Sequence, residues 1–138
     1  MRKYIYIGLF GFLGAIARYF FKTQHFSFYN GNIPINTLII NLLGAFLISA
    51  FLSYAYKVNL NDELRLGIAT GFLGTFTTFS TMCKELVNLL LKGETSAAAF
   101  YLLYSILIGL LMIYLGKLFS EKLTDKVLVE DFEWLLIF

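Results

Sequence analysis

Twelve consecutive residues, Gly71-Phe72-Leu73-Gly74-Thr75-Phe76-Thr77-Thr78-Phe79-Ser80-Thr81-Met82, place two glycines and five hydroxyl side chains inside an otherwise apolar run. Glycine, serine and threonine suit a helix interior poorly, because they lose backbone entropy or compete for backbone hydrogen bonds. Hydroxyls both donate and accept without carrying charge. Within hydrocarbon, each backbone N–H and C=O must be satisfied by protein or by water in a cavity. A helix broken at such a stretch frees carbonyls and amides, the groups with which channels and transporters hold ions. Small residues also let an unbroken helix pack closely on a neighbour. Residue types alone leave both readings open.

Other polar side chains interrupt apolar runs. Asn41 lies within Ile39-Ile40-Asn41-Leu42-Leu43-Gly44, where its amide can serve an ion or an interhelical hydrogen bond. Arg18 sits near the end of the first run, and extension of its head to the lipid headgroups is the competing role. Lys84 and Glu85 precede the end of the third run. They can pair with each other or reach the interface, but ionisable groups at membrane depth carry a functional reading by default. Ser105 and Tyr104, in the fourth run, are weaker candidates, with helix packing or interfacial placement as the favoured alternative.

The elements that position these residues follow from composition. Of 138 residues, 59% are hydrophobic and 14% charged, and mean hydropathy is +0.74. A soluble domain is nearer half apolar and about a quarter charged. Crossing the hydrocarbon core takes about 20 mainly apolar residues in a helix, and four segments qualify: residues 4–21, 34–56, 64–91 and 97–119. Pro34 opens the second, as suits a first helical turn. Thr95 or Ser96 is the expected N-cap of the fourth. Gly8, Gly11 and Gly14-Ala15 give the first a small face for close packing. The expected fold is therefore an all-α membrane protein with four transmembrane helices. Residues 1–122 form the membrane unit. Residues 123–138 form a charged-to-apolar tail, whose end at Glu133-Trp134-Leu135-Leu136-Ile137-Phe138 suits an interfacial anchor.

Arg2 and Lys3 before an apolar run loosely resemble a signal peptide. The run lacks a small-residue cleavage site and further spans follow, so a retained helix is expected. An even number of spans puts both termini on one side. That side collects Arg2, Lys3, Lys57, Arg65, Lys117, Lys122 and Lys126, against Lys22 and Lys92, with Arg18 nearby, on the other. The positive-inside rule then places both termini in the cytoplasm. A net charge of +2 without a basic block argues against nucleic acid. Cys83 is a lone cysteine without metal spacing, and His25 is alone in a polar loop. No nucleophile, base and metal set converges, so an enzyme is not expected. Fifteen Phe and nine Tyr must mostly face lipid or fill the core, so no single ring is evidence by itself.

Three motifs in order resemble the Fluc (CrcB) family of bacterial fluoride channels. The first segment carries Gly11-Phe12-Leu13-Gly14-Ala15-Ile16-Ala17-Arg18-Tyr19. The second carries Pro34-Ile35-Asn36-Thr37-Leu38-Ile39-Ile40-Asn41-Leu42-Leu43-Gly44. The third carries Gly71 through Thr81, with Glu85 at the family's distance. The resemblance implies an antiparallel dimer of four-helix subunits with two narrow pores. It also implies a third helix broken at the membrane centre, where the carbonyls of Gly74 and Thr77 hold a structural sodium ion shared by both subunits. It assigns Asn41 to the pore lining with Thr37 one turn away, and Phe79 to a ring facing fluoride. Ser80, Thr81, Glu85 and Ser105 fall to a polar track, and Arg18 to the vestibule. The implied activity is passive export of fluoride across the bacterial plasma membrane, which confers fluoride resistance.

Two positions depart from the family pattern. Met82 stands where a second fluoride-facing phenylalanine is usual, and Asn36 stands where glycine is usual. The charge bias also sits uneasily with an antiparallel homodimer, which needs a chain that inserts both ways. A heterodimer, in which an oppositely inserted homologue supplies the missing ring, meets both points. A proton-coupled transporter like the small multidrug resistance proteins needs a carboxylate deep in the first helix, and that helix has none. A non-conducting partner subunit would explain the small-residue faces but not Asn41 or Thr75 to Thr81.

Overall fold

The computed structural model describes residues 1–24 and 32–137, with side chains described as far as residue 125. His25 and the terminal side chains expected to act as an anchor lie outside that set. Every regular element among the described residues is helical. α1 is Arg2–Thr23, α2 is Ile35–Lys57 and α3 is Asp62–Leu66. A π-helical segment, Gly67–Leu73, then leads to α4, Gly74–Phe76. After a two-residue break, α5 is Phe79–Leu91 and α6 is Thr95–Ile137.

α1, α2 and the Thr95–Asp125 part of α6 are each long and apolar enough to cross a membrane. Their outward faces carry Leu9, Phe12, Ile16, Tyr19, Leu107, Leu110 and Tyr114, all exposed. A water-soluble monomer does not tolerate so much exposed apolar surface, whereas lipid does. The third apolar run yields no single long helix, because Gly67–Leu73 is π-helical and Thr77 and Thr78 are extended.

Two close approaches organise the bundle. α1 packs mainly on the π-helical segment, and α2 mainly on α6. A methyl group at Gly14 would collide with the Phe72 carbonyl oxygen, and one at Gly71 would lie 2.7 Å from the Ile7 carbonyl oxygen. Glycine is required at both, because the obstacle is backbone. The Thr75 hydroxyl sits at this seam within 2.9 Å of Gly11 O and 2.8 Å of Gly71 O. On the other side, a methyl at Gly116 would strike the Phe46 carbonyl oxygen. There Ser49 Oγ donates to Ile113 O at 2.7 Å, the kind of interhelical bond that membrane helices use.

Helix ends differ slightly from expectation. Pro34 is the N-cap of α2 rather than its first residue. α6 begins at Thr95, so the expected Thr95 or Ser96 cap is replaced by Glu94, whose carbonyl accepts from Ala98 N–H. Gly93 makes this possible: at φ +78 it turns the chain sharply, and Glu94 N–H bonds back to Leu89 O. α6 then continues without interruption to Ile137. Its 43 residues reach roughly 65 Å at 1.5 Å per residue. Lys57 Nζ meets Asp125 Oδ1 at 3.3 Å, tying the end of α2 to α6.

Candidate functional site

The site is built around the break between α4 and α5. Thr77 has ψ 157, and Thr78 has φ −147 and ψ 96, so the chain is extended for two residues in the middle of an apolar run. Such a break strands the backbone groups at both helix ends. Asn41 on α2 resolves part of this. Thr78 N–H donates to Asn41 Oδ1 at 2.8 Å, and Asn41 Nδ2 donates to Thr78 O at 3.3 Å. The Thr78 side chain then caps α5, accepting from Thr81 N–H, while its own hydroxyl donates to Thr81 Oγ1 at 2.7 Å. Gly44 lets α2 come close enough for this clamp, since a methyl there would collide with the Thr77 methyl. The last turn before the break has no following helical N–H groups, so its carbonyls, including those of Gly74 and Thr77, lack intrahelical partners. Gly74 is exposed and Thr77 half-buried.

Two cavities flank the break. One, about 250 Å³, is lined by Asn41, Gly44, Ala45, Ile48, Thr77 and Phe79. Phe79 is 75% exposed, so its ring stands free at the subunit surface. The other, about 500 Å³, is lined by Ala15, Arg18, Tyr19, Lys22, Thr78, Ser80 and Thr81. Its lining is cationic and hydroxylic, and Arg18 has no ion-pair partner among the described residues. Thr77 lines the smaller cavity and its neighbour Thr78 the larger.

A third polar cluster lies further along α5. Glu85 Oε1 accepts from Thr37 Oγ1 at 2.8 Å, and Glu85 Oε2 accepts from Tyr101 Oη at 2.9 Å. Both carboxylate oxygens thus hold a hydroxyl donor, as a largely buried polar group requires. Lys22 Nζ approaches Oε1 at 4.0 Å. Ser105 Oγ donates to Tyr101 O at 2.7 Å, one turn along α6. Among the described residues no three His, Cys, Asp or Glu side chains gather as a metal-binding group.

Comparison with known proteins identifies the family. Residues 5–117 match the family described as "CrcB-like protein, Camphor Resistance (CrcB)". This chain belongs to that family. The chain is 42% identical over 133 residues to "Fluoride-specific ion channel FluC 1" of Bacillus cereus, covering 94% of this chain and 92% of the relative. It is 39% identical over 124 residues to "Fluoride-specific ion channel FluC 2" of Listeria innocua, covering 89% and 94%. A third relative, "Fluoride-specific ion channel FluC" of Geobacter metallireducens, is 39% identical over 124 residues, covering 89% of this chain and all of the relative. Like these CrcB family members, the chain is a membrane protein.

The structure of this CrcB family chain brings most of the sequence-selected residues together, in separate groups. Asn41, Thr77 and Phe79 share the smaller cavity, and Arg18, Ser80 and Thr81 the larger. Thr37, Glu85 and Ser105 belong to the cluster between α2, α5 and α6. Met82 lies elsewhere: it is buried in an apolar group with Leu89, Ala98 and Tyr101. The expected option of a Lys84–Glu85 pair does not form. Adjacent helical residues point to different sides, and Lys84 is exposed while Glu85 turns inward to Thr37 and Tyr101. Tyr101, fully buried, was missed in the sequence. Its signal was its place one helical turn before Ser105, although nine tyrosines made any one of them unremarkable. Asn36, the departure from the usual glycine, also has work: its Nδ2 donates to Lys22 O at 3.0 Å and Gln24 O at 2.7 Å.

Proposed function

We propose that this chain is one subunit of a passive, fluoride-selective channel that lets fluoride leave the cytoplasm. The observation that carries the reading is the Asn41-clamped break at Thr77 and Thr78, with uncharged donors on both sides, in a chain of the CrcB family whose relatives are named fluoride-specific channels.

Fluoride is small and strongly hydrated, so a dry pore must replace its water with hydrogen-bond donors. Ser80, Thr81 and Thr37 carry hydroxyls, and Asn41 retains one amide N–H beyond the one bound to Thr78 O. The exposed ring of Phe79 presents a positive edge. Donors without full charge bind an anion loosely enough to release it, as conduction demands. Arg18 in the larger cavity draws anions to one mouth of the pore. Glu85 and Ser105 extend the polar track, and Met82 follows Thr81 where the family usually has a second ring.

The subunit crosses the membrane four times, with α3 through α5 as the third, broken crossing. In this subunit both termini are cytoplasmic, in the plasma membrane of a bacterium, and an antiparallel partner carries its own on the other side. Two subunits pair antiparallel and enclose two pores. In support, the donors here face two different cavities, and neither is closed by one chain. The exposed ring of Phe79 and the free carbonyls of Gly74 and Thr77 also point to a second subunit. Those carbonyls are neutral oxygen donors, suited to a hard cation such as sodium. Bound there, sodium would offset anion repulsion and fix the dimer's centre. The charge bias across the two faces favours one variant of this reading, a heterodimer with an oppositely inserted homologue. A reporter fused to Phe138 that finds equal insertion in both orientations would remove its support.

The test is fluoride efflux from liposomes containing the purified chain alone, with chloride as control. Rapid efflux of fluoride but not chloride is expected. No efflux from well-folded chain alone, with efflux restored by a co-reconstituted homologue, would establish the heterodimer. No efflux in either case would overturn the channel reading.

A further inference from the structure

Lys22 belongs to two polar groups at once. It lines the large cavity with Arg18, Ser80 and Thr81, and its ammonium is 4.0 Å from Glu85 Oε1. It is one helical turn beyond Arg18 on α1, on the same face. Its side chain is 48% exposed, against 18% for Glu85. Its backbone is held as well, because Asn36 Nδ2 donates to the carbonyls of Lys22 and Gln24 at the end of α1. Among the described residues no other cation reaches both groups.

We infer that Lys22 is the outermost anion-collecting residue of the permeation route, exchanging its ammonium between Glu85 and an anion passing through the Arg18 cavity. The inference rests on the channel reading above and assigns it a further residue. At 4.0 Å and half in water, the pair with Glu85 is loose, so an arriving anion competes for the ammonium on near-equal terms. Glu85 does not depend on it, since Thr37 and Tyr101 already bond both carboxylate oxygens. When the anion moves on, Lys22 returns to Glu85. This return prevents the mouth of the route from holding the anion permanently. Asn36 fixes the point from which the side chain swings.

The test measures fluoride efflux from liposomes at low and high ionic strength, for the full-length chain and for Lys22→Gln, Lys22→Arg and Asn36→Gly. Charge that gathers ions from solution is screened within about 30 Å at 0.01 M salt and about 3 Å at 1 M. Lys22→Gln should therefore slow efflux roughly tenfold at low ionic strength, within the range of electrostatic steering, and converge on the unmodified protein at high ionic strength. Lys22→Arg should restore most of the rate. Asn36→Gly, which keeps the charge and frees its anchor, should give a smaller loss with the same salt dependence. A Lys22→Gln rate equal to that of the unmodified protein at low salt would overturn the proposal. So would a loss equally large at all salt concentrations, which a merely structural role would give. Absence of efflux from the unmodified protein, alone or with a homologue, would instead defeat the channel reading itself.

Discussion

The two halves of the third apolar run obey different rules. Before the break, Gly67–Phe76 is pressed against α1, with glycines where backbone meets backbone and one hydroxyl, that of Thr75, shared among carbonyls. After it, Phe79–Leu91 holds its neighbours through side chains. Thr81 bonds Thr78, Glu85 bonds Thr37 and Tyr101, and Met82 and Leu89 fill an apolar group with α6. The first half is fixed by shape, where an added atom is forbidden. The second is fixed by chemistry, where a removed atom leaves a partner unsatisfied. The polar residues of the break thus have a rigid seam on one side of them and adjustable polar contacts on the other.

Substitutions can break this contrast or sharpen it. The largest effect is expected at the seam. Gly14→Val should yield no monodisperse protein on size exclusion in detergent, and Gly14→Ala should cost about 3 kcal/mol, the upper end for overpacking, read as a lowered thermal midpoint. A stable Gly14→Val would show that the seam is not rigid. Asn41→Ala comes next: efflux should vanish while the protein stays assembled, because the buried Thr78 N–H loses its acceptor at about 1–3 kcal/mol. Undiminished efflux would remove Asn41 from the pore. Tyr101→Phe deletes one donor to Glu85 and should cost about 2 kcal/mol. Combined with Glu85→Ala it should cost less than the sum of the two, since both break one bond; strict additivity would show that the bond contributes nothing. The smallest effect belongs to Met82→Phe. Ala98 beside it leaves some room, so about 1 kcal/mol of crowding and unchanged efflux are expected. A clear rise in efflux would place position 82 at the ion.

Much of the helical layout could be read from hydropathy, because a lipid-facing helix is apolar over its whole length and its ends are marked by Pro34, Lys57 and Gly93. The polar residues of the break were legible for the same reason, being conspicuous in an apolar run. The π-helical segment was not, since Gly67–Leu73 reads as an ordinary small-residue helix, and nothing in its residue types marks the widened turn that packs on α1. The groupings were also hidden. Glu85 is 48 positions from Thr37, and only the approach of α2 to α5 shows that they meet. Asn41 was visible as a polar residue at depth, but its clamp on the Thr78 backbone depends on a chain direction that the sequence does not display.

The seam glycines have a consequence at the level of the gene. Every glycine codon becomes an alanine codon by one base change, so these positions are tested continually by ordinary mutation. Gly14, Gly71 and Gly116 abut backbone atoms that cannot yield, whereas Gly8 and Gly109 have no neighbour within 4 Å in the subunit. Under selection by fluoride, pooled random variants should lose alanine at the first three within a few generations and keep it at the last two. Depletion at Gly8 or Gly109 as well would map a contact made outside the subunit.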